Sequence, residues 1–393
     1  MRNGWRETTL GEVAEFLNGY PFKPSELGEE GLPVIRIQQL LDPSGRVDRS
    51  LVETPRRCQL ENGDLVFSWS GTLAVRLWDR GPALLNQHLF KVVERHGVDR
   101  KWLSYALDHA IDELSRKTHG TTMKHVTKAT LLPHTLLLPP LDEQRRIVDL
   151  IATVDEAIQG AESEAITARM QLGALRTELI DRSDAPRSKL SDVLETVDGG
   201  RSPVTEGRPP GPGERGVLKL SAVRTGQFDL AESKAVSPAV SLPASALVSV
   251  GDVLITRSNT PETVGAVCFV DEVRPHTYLS DLTLRLTPRP DCLPAYLAAA
   301  LTTTEARRQI TSSAKGTSGS MRKISRQTIA ELTIPLPDRD HQQSVVSLLD
   351  AAAATVKSVH ASRAALLRLR SSLLSDLLSG DHEIPASYDE VMG

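Results

Sequence analysis

Apolar residues in this chain follow two patterns. One is a set of short runs bounded by turn residues, which predict strands. Leu65-Val66-Phe67 and Val253-Leu254-Ile255 each follow a Gly-Asp pair and read as buried strands. Leu89-Phe90-Lys91-Val92-Val93 and Leu282-Thr283-Leu284-Arg285-Leu286 read as half-buried strands, and segments 99–117 and 292–312 show helical spacing. The other pattern is heptad. After Pro140, one heptad position holds Ile147, Val154, Ala161, Ala168 and Leu175, and the position four residues on holds Ile151, Ile158, Ala165, Leu172 and Leu179. After Pro337, the equivalent positions hold Val345, Ala352, Val359, Leu366 and Leu373, and then Leu349, Val356 and Leu377. So narrow and long a seam predicts a coiled coil. Arg363 and Arg370 interrupt the second seam and must reach solvent or pair with acids such as Glu162 or Glu164. The plain reading packs the two helices on each other. The rival has each seam recruit a helix from a partner.

These elements recur, and a repeat governs the whole fold. Leu10-Gly11-Glu12-Val13 is echoed by Leu190-Ser191-Asp192-Val193 at an offset of 180 residues. Ile35-Arg36-Ile37 returns as Leu218-Lys219-Leu220, and Gly63-Asp64-Leu65-Val66 as Gly251-Asp252-Val253-Leu254 at an offset of 188. Trp102-Leu103 matches Tyr296-Leu297 at 194, and Pro139 and Gln144 match Pro337 and Gln342 at 198. The offset climbs in order, as it does when a second copy carries a few insertions. One insertion is expected at Pro209-Pro210-Gly211-Pro212-Gly213, a composition that joins neither ladder nor helix. The expected fold class is α+β: two pseudo-repeated globular domains joined by two long antiparallel coiled-coil helices. The boundaries are 1–140, a helix over 141–182, a second domain over 183–337, a helix over 338–380 and a tail over 381–393.

Composition narrows the class. The chain has 393 residues and a net charge of −4, so it is not a globally basic nucleic-acid binder. Its three cysteines, Cys58, Cys268 and Cys292, lie far apart, which argues against a disulfide framework or a cysteine zinc site and fits a reducing cytoplasm. No apolar run approaches a membrane span, and Met1-Arg2-Asn3-Gly4-Trp5 does not read as a signal peptide.

Local charge is more informative. Ser115–Leu141 and Ala306–Ala330 contain no Asp or Glu and occupy equivalent positions in the two copies. The first carries Lys117, Thr121, Thr122, Lys124 and Lys128; the second carries Lys315, Thr317, Ser318, Ser320, Arg322 and Lys323. Cations neutralise phosphates, and small hydroxyl residues bond to their oxygens at close approach. Recurrence in both copies makes these stretches candidate nucleic-acid contact loops rather than ordinary solvated loops. A second candidate set follows the buried strands: Ser68, Trp69 and Ser70, with Asn86, Gln87 and His88, in the first copy, and Arg257, Ser258 and Asn259 in the second. Asn and Gln suit adenine edges and Arg suits guanine. For each residue taken singly, strand-end turn chemistry is the competing explanation.

Catalytic signatures are absent from the sequence: no phosphate-binding Gly-x-x-x-x-Gly-Lys loop, no His-Glu-x-x-His, no Gly-x-Ser-x-Gly. No histidine pairs with cysteine or carboxylate at metal-ligand spacing, so no metal site is expected and no chemistry by this chain itself. Each copy runs from Leu-Gly-Glu-Val or Leu-Ser-Asp-Val, through Gly-Asp-Leu-Val or Gly-Asp-Val-Leu, to a Gly-Thr basic loop. It then enters a long helix through Pro139-Pro140-Leu141-Asp142-Glu143-Gln144 or through Pro337 with Asp340-His341-Gln342, where the second copy departs from the Glu-Gln form. In this the chain resembles the specificity subunit of a type I restriction–modification system along essentially its whole length. The resemblance implies two target recognition domains, each reading half of a bipartite double-stranded DNA target, with the helices as spacer. It implies methyltransferase subunits that bind S-adenosylmethionine and methylate adenine, ATP-dependent restriction subunits joining through them, no cofactor in this chain and no membrane. The alternative is a free-standing coiled-coil DNA-binding regulator.

Overall fold

Both Gly-Asp pairs turn the chain into a central strand in the same way. Gly63 and Gly251 adopt φ of +91° and +96°, a region open to glycine without strain. Asp64 accepts the Glu61 N–H at 2.7 Å and pairs with Lys91 at 2.6 Å; Asp252 accepts the Ser249 N–H at 2.9 Å and pairs with Arg285 at 2.8 Å. One motif thus closes a turn and ties the strand to its neighbour. The following residues, Leu65-Val66-Phe67 and Val253-Leu254-Ile255, are buried on both faces, which explains continuous apolar runs in place of alternation.

A computed structural model of the chain describes residues 4–117, 127–316, 321–382 and 384, without the side chains of 112–117. It forms two compact units, Met1–Glu162 with Ser362–Gly393, and Ser163–Ala361. Each unit holds a four-stranded antiparallel sheet. In the first the order is Ala14–Asn18, Leu89–Glu94, Leu65–Ser68, Ala74–Leu77; in the second it is Leu194–Gly199, Thr283–Pro288, Val253–Thr256, Val267–Phe269. Each also holds a small sheet with one parallel pair, Leu32–Ile35 beside Ala83–Leu85 and Gly216–Leu218 beside Thr277–Tyr278. A two-stranded ribbon closes each domain, Arg6–Thr9 with Thr135–Leu138 and Arg187–Lys189 with Thr333–Pro335. Part of the repeat's changing offset has a visible cause. A register shift between Leu194 and Thr196 adds one residue to the second copy's edge strand.

The long helices are α1, Leu141–Arg176, and α2, Arg339–Leu378. In the first unit Ile147, Val148 and Ile151 of α1 and Leu374, Leu377 and Leu378 of α2 share a core with Trp5, Leu138 and Trp102. In the second, Ala168 and Leu172 share a core with Val345, Leu349 and Val356. The compact units therefore divide the helices between them, because each half-helix packs on its own globular part. Both interrupting arginines are paired. Arg363 donates to Glu162 at 2.9 Å, and Arg370 meets Asp155 at 2.5 Å and Asp108 at 3.7 Å. The partner residue rises from 155 to 162 as the arginine falls from 370 to 363, the signature of antiparallel packing.

Two local details refine the sequence expectations. The helical spacing of 292–312 is divided between two helices, Pro294–Leu301 and Thr304–Ser313. The break lies at Thr302-Thr303: the Thr302 hydroxyl donates to Ala299 O at 2.8 Å, and Thr303 accepts the Ala306 N–H as an N-cap. At the end of α1 the backbone widens into a π-turn over Thr177–Asp181. The extra residue moves the core position from Leu179, half-buried, to Ile180, fully buried.

Both helices begin on a buried glutamine. Gln144 Oε1 accepts the Asp99 N–H at 2.7 Å, while its amide nitrogen donates to Gly97 O at 3.0 Å and Pro139 O at 2.9 Å. Gln342 does the same with the Leu293 N–H at 2.8 Å, Asp291 O at 2.9 Å and Pro337 O at 2.8 Å. Both side chains have no solvent exposure. An amide is required, since only it offers an acceptor and two donors at one end.

Candidate nucleic-acid interface

In the second unit the two candidate sets, far apart in sequence, become neighbours. Ser258-Asn259 forms a short antiparallel ladder with Arg322-Lys323, Ser258 opposite Lys323 and Asn259 opposite Arg322. Lys315 and Lys323 exchange both backbone hydrogen bonds, at 2.9 and 2.8 Å, and Ile324 N–H donates to Arg257 O. Arg257, Lys315 and Lys323 are exposed, whereas Arg322 is partly held by Ala314 O at 3.1 Å. These cations crowd one edge of the domain. Ser258 is buried, and its hydroxyl has no hydrogen-bond partner. Thr317, Ser318 and Ser320 lie outside the described residues.

Beside this ladder opens a groove of about 580 Å³, with Ser202, Lys219, Lys234, Asn259, Ser280 and Leu282 among its walls. It is polar at its rim and apolar beneath, where Leu218 is buried. Gly200 lets its backbone approach that of the strand leading into Ser280, since a Cβ there would lie 1.8 Å from Leu279 O. Arg307 belongs to the acid-free stretch yet faces inward. It donates to Gly265 O at 2.5 Å and Val264 O at 2.9 Å, fixing the loop that follows Asn259. Burial pushes its guanidinium below the usual arginine range.

The first unit uses the same scaffold with different side chains. Trp69 leans on Phe90 at 5.8 Å and on the exposed His88 at 5.8 Å, and its indole N–H donates to Gln87 O at 3.3 Å. Gln87 Oε1 is buried without a donor. Asn86 is buried and accepts the His88 N–H at 3.3 Å. With Asn86, two further sequence candidates turn inward. Ser68 is fully buried and its hydroxyl donates to Thr72 O at 2.7 Å, so it serves the turn rather than the surface. Ser70 is buried as well. Lys128 donates to Phe16 O at 2.5 Å, and its ammonium lies 5.1 Å from the centre of the Phe90 ring. It still lines a groove of about 380 Å³ with Arg57 and Arg95, a cationic pair the sequence reading passed over. Thr121, Thr122 and Lys124, and the side chain of Lys117, lie outside the described residues.

Register also exposes Arg326, which the sequence reading left out of its contact residues. It opens the helix Arg326–Glu331 as Lys128 opens Lys128–Leu131, and it reaches the same edge strand, near Gly199. The offset of 198 that aligns the two glutamines would have found it. Among the described residues, no group of three or more His, Cys, Asp or Glu could hold a metal ion, and no helix is long and apolar enough to cross a membrane.

Comparison with known proteins agrees with this architecture. Residues 2–168 match the family model for the type I restriction modification DNA specificity domain. The chain is 29% identical over 157 residues to the type I restriction enzyme EcoBI specificity subunit of Escherichia coli, covering 39% of this chain and 33% of that protein. It is 24% identical over 159 residues to the MjaVIII specificity subunit of Methanocaldococcus jannaschii, covering 39% and 36%. The match thus spans about a third of these relatives. Among solved structures, one from work on complex assembly and conformational transition of the type I R-M system superposes with a TM-score of 0.60 at 20% identity, over 97% of this chain and 99% of that one. The S subunit from M. genitalium gives 0.50 at 12% identity, over 98% of both. Those two likenesses are of fold. By sequence, then, residues 2–168 of the chain resemble the type I restriction modification DNA specificity domain, and by fold nearly its whole length is like these two solved structures.

Proposed function

We propose that each globular domain reads one half of a bipartite double-stranded DNA target, and that the chain directs partner subunits to it without catalysing a reaction itself. Methyltransferase subunits, carrying S-adenosylmethionine, would methylate adenine at the site. ATP-dependent restriction subunits would join through them, all in the cytoplasm. One observation carries this reading: the same scaffold is built twice, and at one edge of it equivalent positions carry different side chains, Trp69, Gly71 and His88 against Arg257, Asn259 and Leu282. A duplicated framework with divergent edges suits two readers of unlike sequences.

The test is co-expression of the chain with its methyltransferase subunits, followed by mapping of methylated adenines. A two-part motif with a fixed gap is expected. A chain that purifies free of any methyltransferase and leaves no methylation would count against the reading and favour a free-standing regulator. Lys315 and Lys323 supply the second measurement. As exposed cations they should contact phosphates, so replacing either by Ala should weaken binding to all sequences alike and lower the salt slope by about one unit.

A further inference from the structure

Pairing register fixes which residues of the two units correspond. Leu65 and Val253 each begin the central strand, opposite Val92 and Leu286, and Val34 and Val217 run parallel to Leu84 and Tyr278. The groove of the second unit can then be compared with the same place in the first. Its floor is kept: Ile35 and Leu218 are both buried. Its cation is kept with a carboxylate beside it, Arg36 on Asp48 at 2.6 Å and Lys219 on Glu232 at 3.4 Å. Even the strand-end serine is kept buried, as Ser70 and Ser258.

Three positions change in kind. Gly71 becomes Asn259, Asn86 becomes Ser280 and His88 becomes Leu282. All three second-unit residues line the groove. Gly71 and Asn259, and likewise His88 and Leu282, reach solvent, where packing does not dictate the side chain, and Ser280, though buried, lines the groove. We propose that these three positions are the specificity determinants of the two domains, and that Asn259, Ser280 and Leu282 take the major-groove edge of an A·T pair. A carboxamide offers the donor and acceptor that match adenine N7 and N6. Asn259 Oδ1 already accepts the Thr260 N–H at 2.9 Å, which holds the amide in one orientation and leaves its NH2 and a second lone pair for a base. Leu282, 38% exposed, supplies an apolar contact for the thymine methyl. Arg307, by gripping the loop at Val264 and Gly265, is the positioning residue. In the first unit Gly71 offers no side chain, and the exposed His88, its backbone N–H held by buried Asn86, reads a different pair.

This inference rests on the function proposed above, and the experiment separates the two. Asn259→Ala and Ser280→Ala chains, each assembled with the methyltransferase subunits, are compared with the unaltered complex by methylation mapping. The expected result is a motif degenerate at one A·T position in one half only, with discrimination there reduced about tenfold and the other half unchanged. Leu282→Ala should relax the same base pair. If the unaltered complex writes a bipartite motif and the Asn259→Ala complex writes the identical motif, merely more slowly, the assignment is overturned while the functional reading stands. If the unaltered complex writes no sequence-specific methylation, the functional reading falls and the assignment with it.

Discussion

Gln144 and Gln342 show how much one side chain can carry. Each satisfies one N–H and two carbonyls in a dry site, binding the start of a long helix to a loop of its own domain. Truncation to Ala would strand those groups without water, and leaving buried polar groups unpaired costs ~1–3 kcal/mol apiece. Gln144→Ala should therefore destabilise the first unit by ~2–4 kcal/mol, allowing for partial relaxation. Gln144→Glu should be no better near neutral pH, because a carboxylate can take the Asp99 N–H but has no proton for Gly97 O or Pro139 O. Urea unfolding of the full chain measures both; a Glu variant as stable as the parent would refute the donor role. These residues were visible in sequence only as an aligned pair. Their function was not, since the segments they bind, 97–99 and 291–293, lie more than forty positions away.

At the level of elements, legibility followed periodicity. Heptads and short apolar runs depend on the backbone's own repeat, so the long helices and central strands could be read directly. What escaped was set by single side chains or by tertiary partners. The Thr302-Thr303 break is a capping competition inside an otherwise helical pattern, and the π-turn after Arg176 adds one residue with no sequence mark. The candidate site was legible as charge but not as shape, because its groove gathers residues from Ser202 to Leu282. The seam itself is open to test. Ile151 is fully buried and Ile158 nearly so, so a carboxylate at either site is taken out of water, while the seam's arginines, Arg363 and Arg370, are already held by Glu162 and Asp155. Replacing both by Asp should cost at least ~3 kcal/mol and lower the melting temperature of the chain by many degrees. Arg370→Ala is the contrast. Its ion pair with Asp155 is partly exposed, so the loss should stay near ~1 kcal/mol or below. Equal losses from the two variants would mean that ion pairs, not the apolar seam, hold the helices together.

On the scale of the whole molecule, the duplication makes a prediction that neither copy makes alone. The two domains share strand order, turn chemistry and helix locks, yet each has its own apolar cores, built from different segments. Domains with separate cores and one scaffold should be exchangeable as units. Exchange of residues 1–140 for the corresponding domain of another specificity subunit keeps Gln144 on α1, provided the incoming chain ends in an equivalent of Pro139 and offers a free N–H at the place of Asp99. Under those two conditions the hybrid should fold, assemble and methylate DNA. Its motif should change in one half and keep the other half as it was, since Asn259, Ser280 and the cations around Lys323 belong entirely to the second unit. Methylation mapping before and after the exchange decides the matter. A hybrid that folds, assembles and alters both half-sites together would show that the two domains read DNA as one surface, and the two-reader model would have to be abandoned despite the internal repeat.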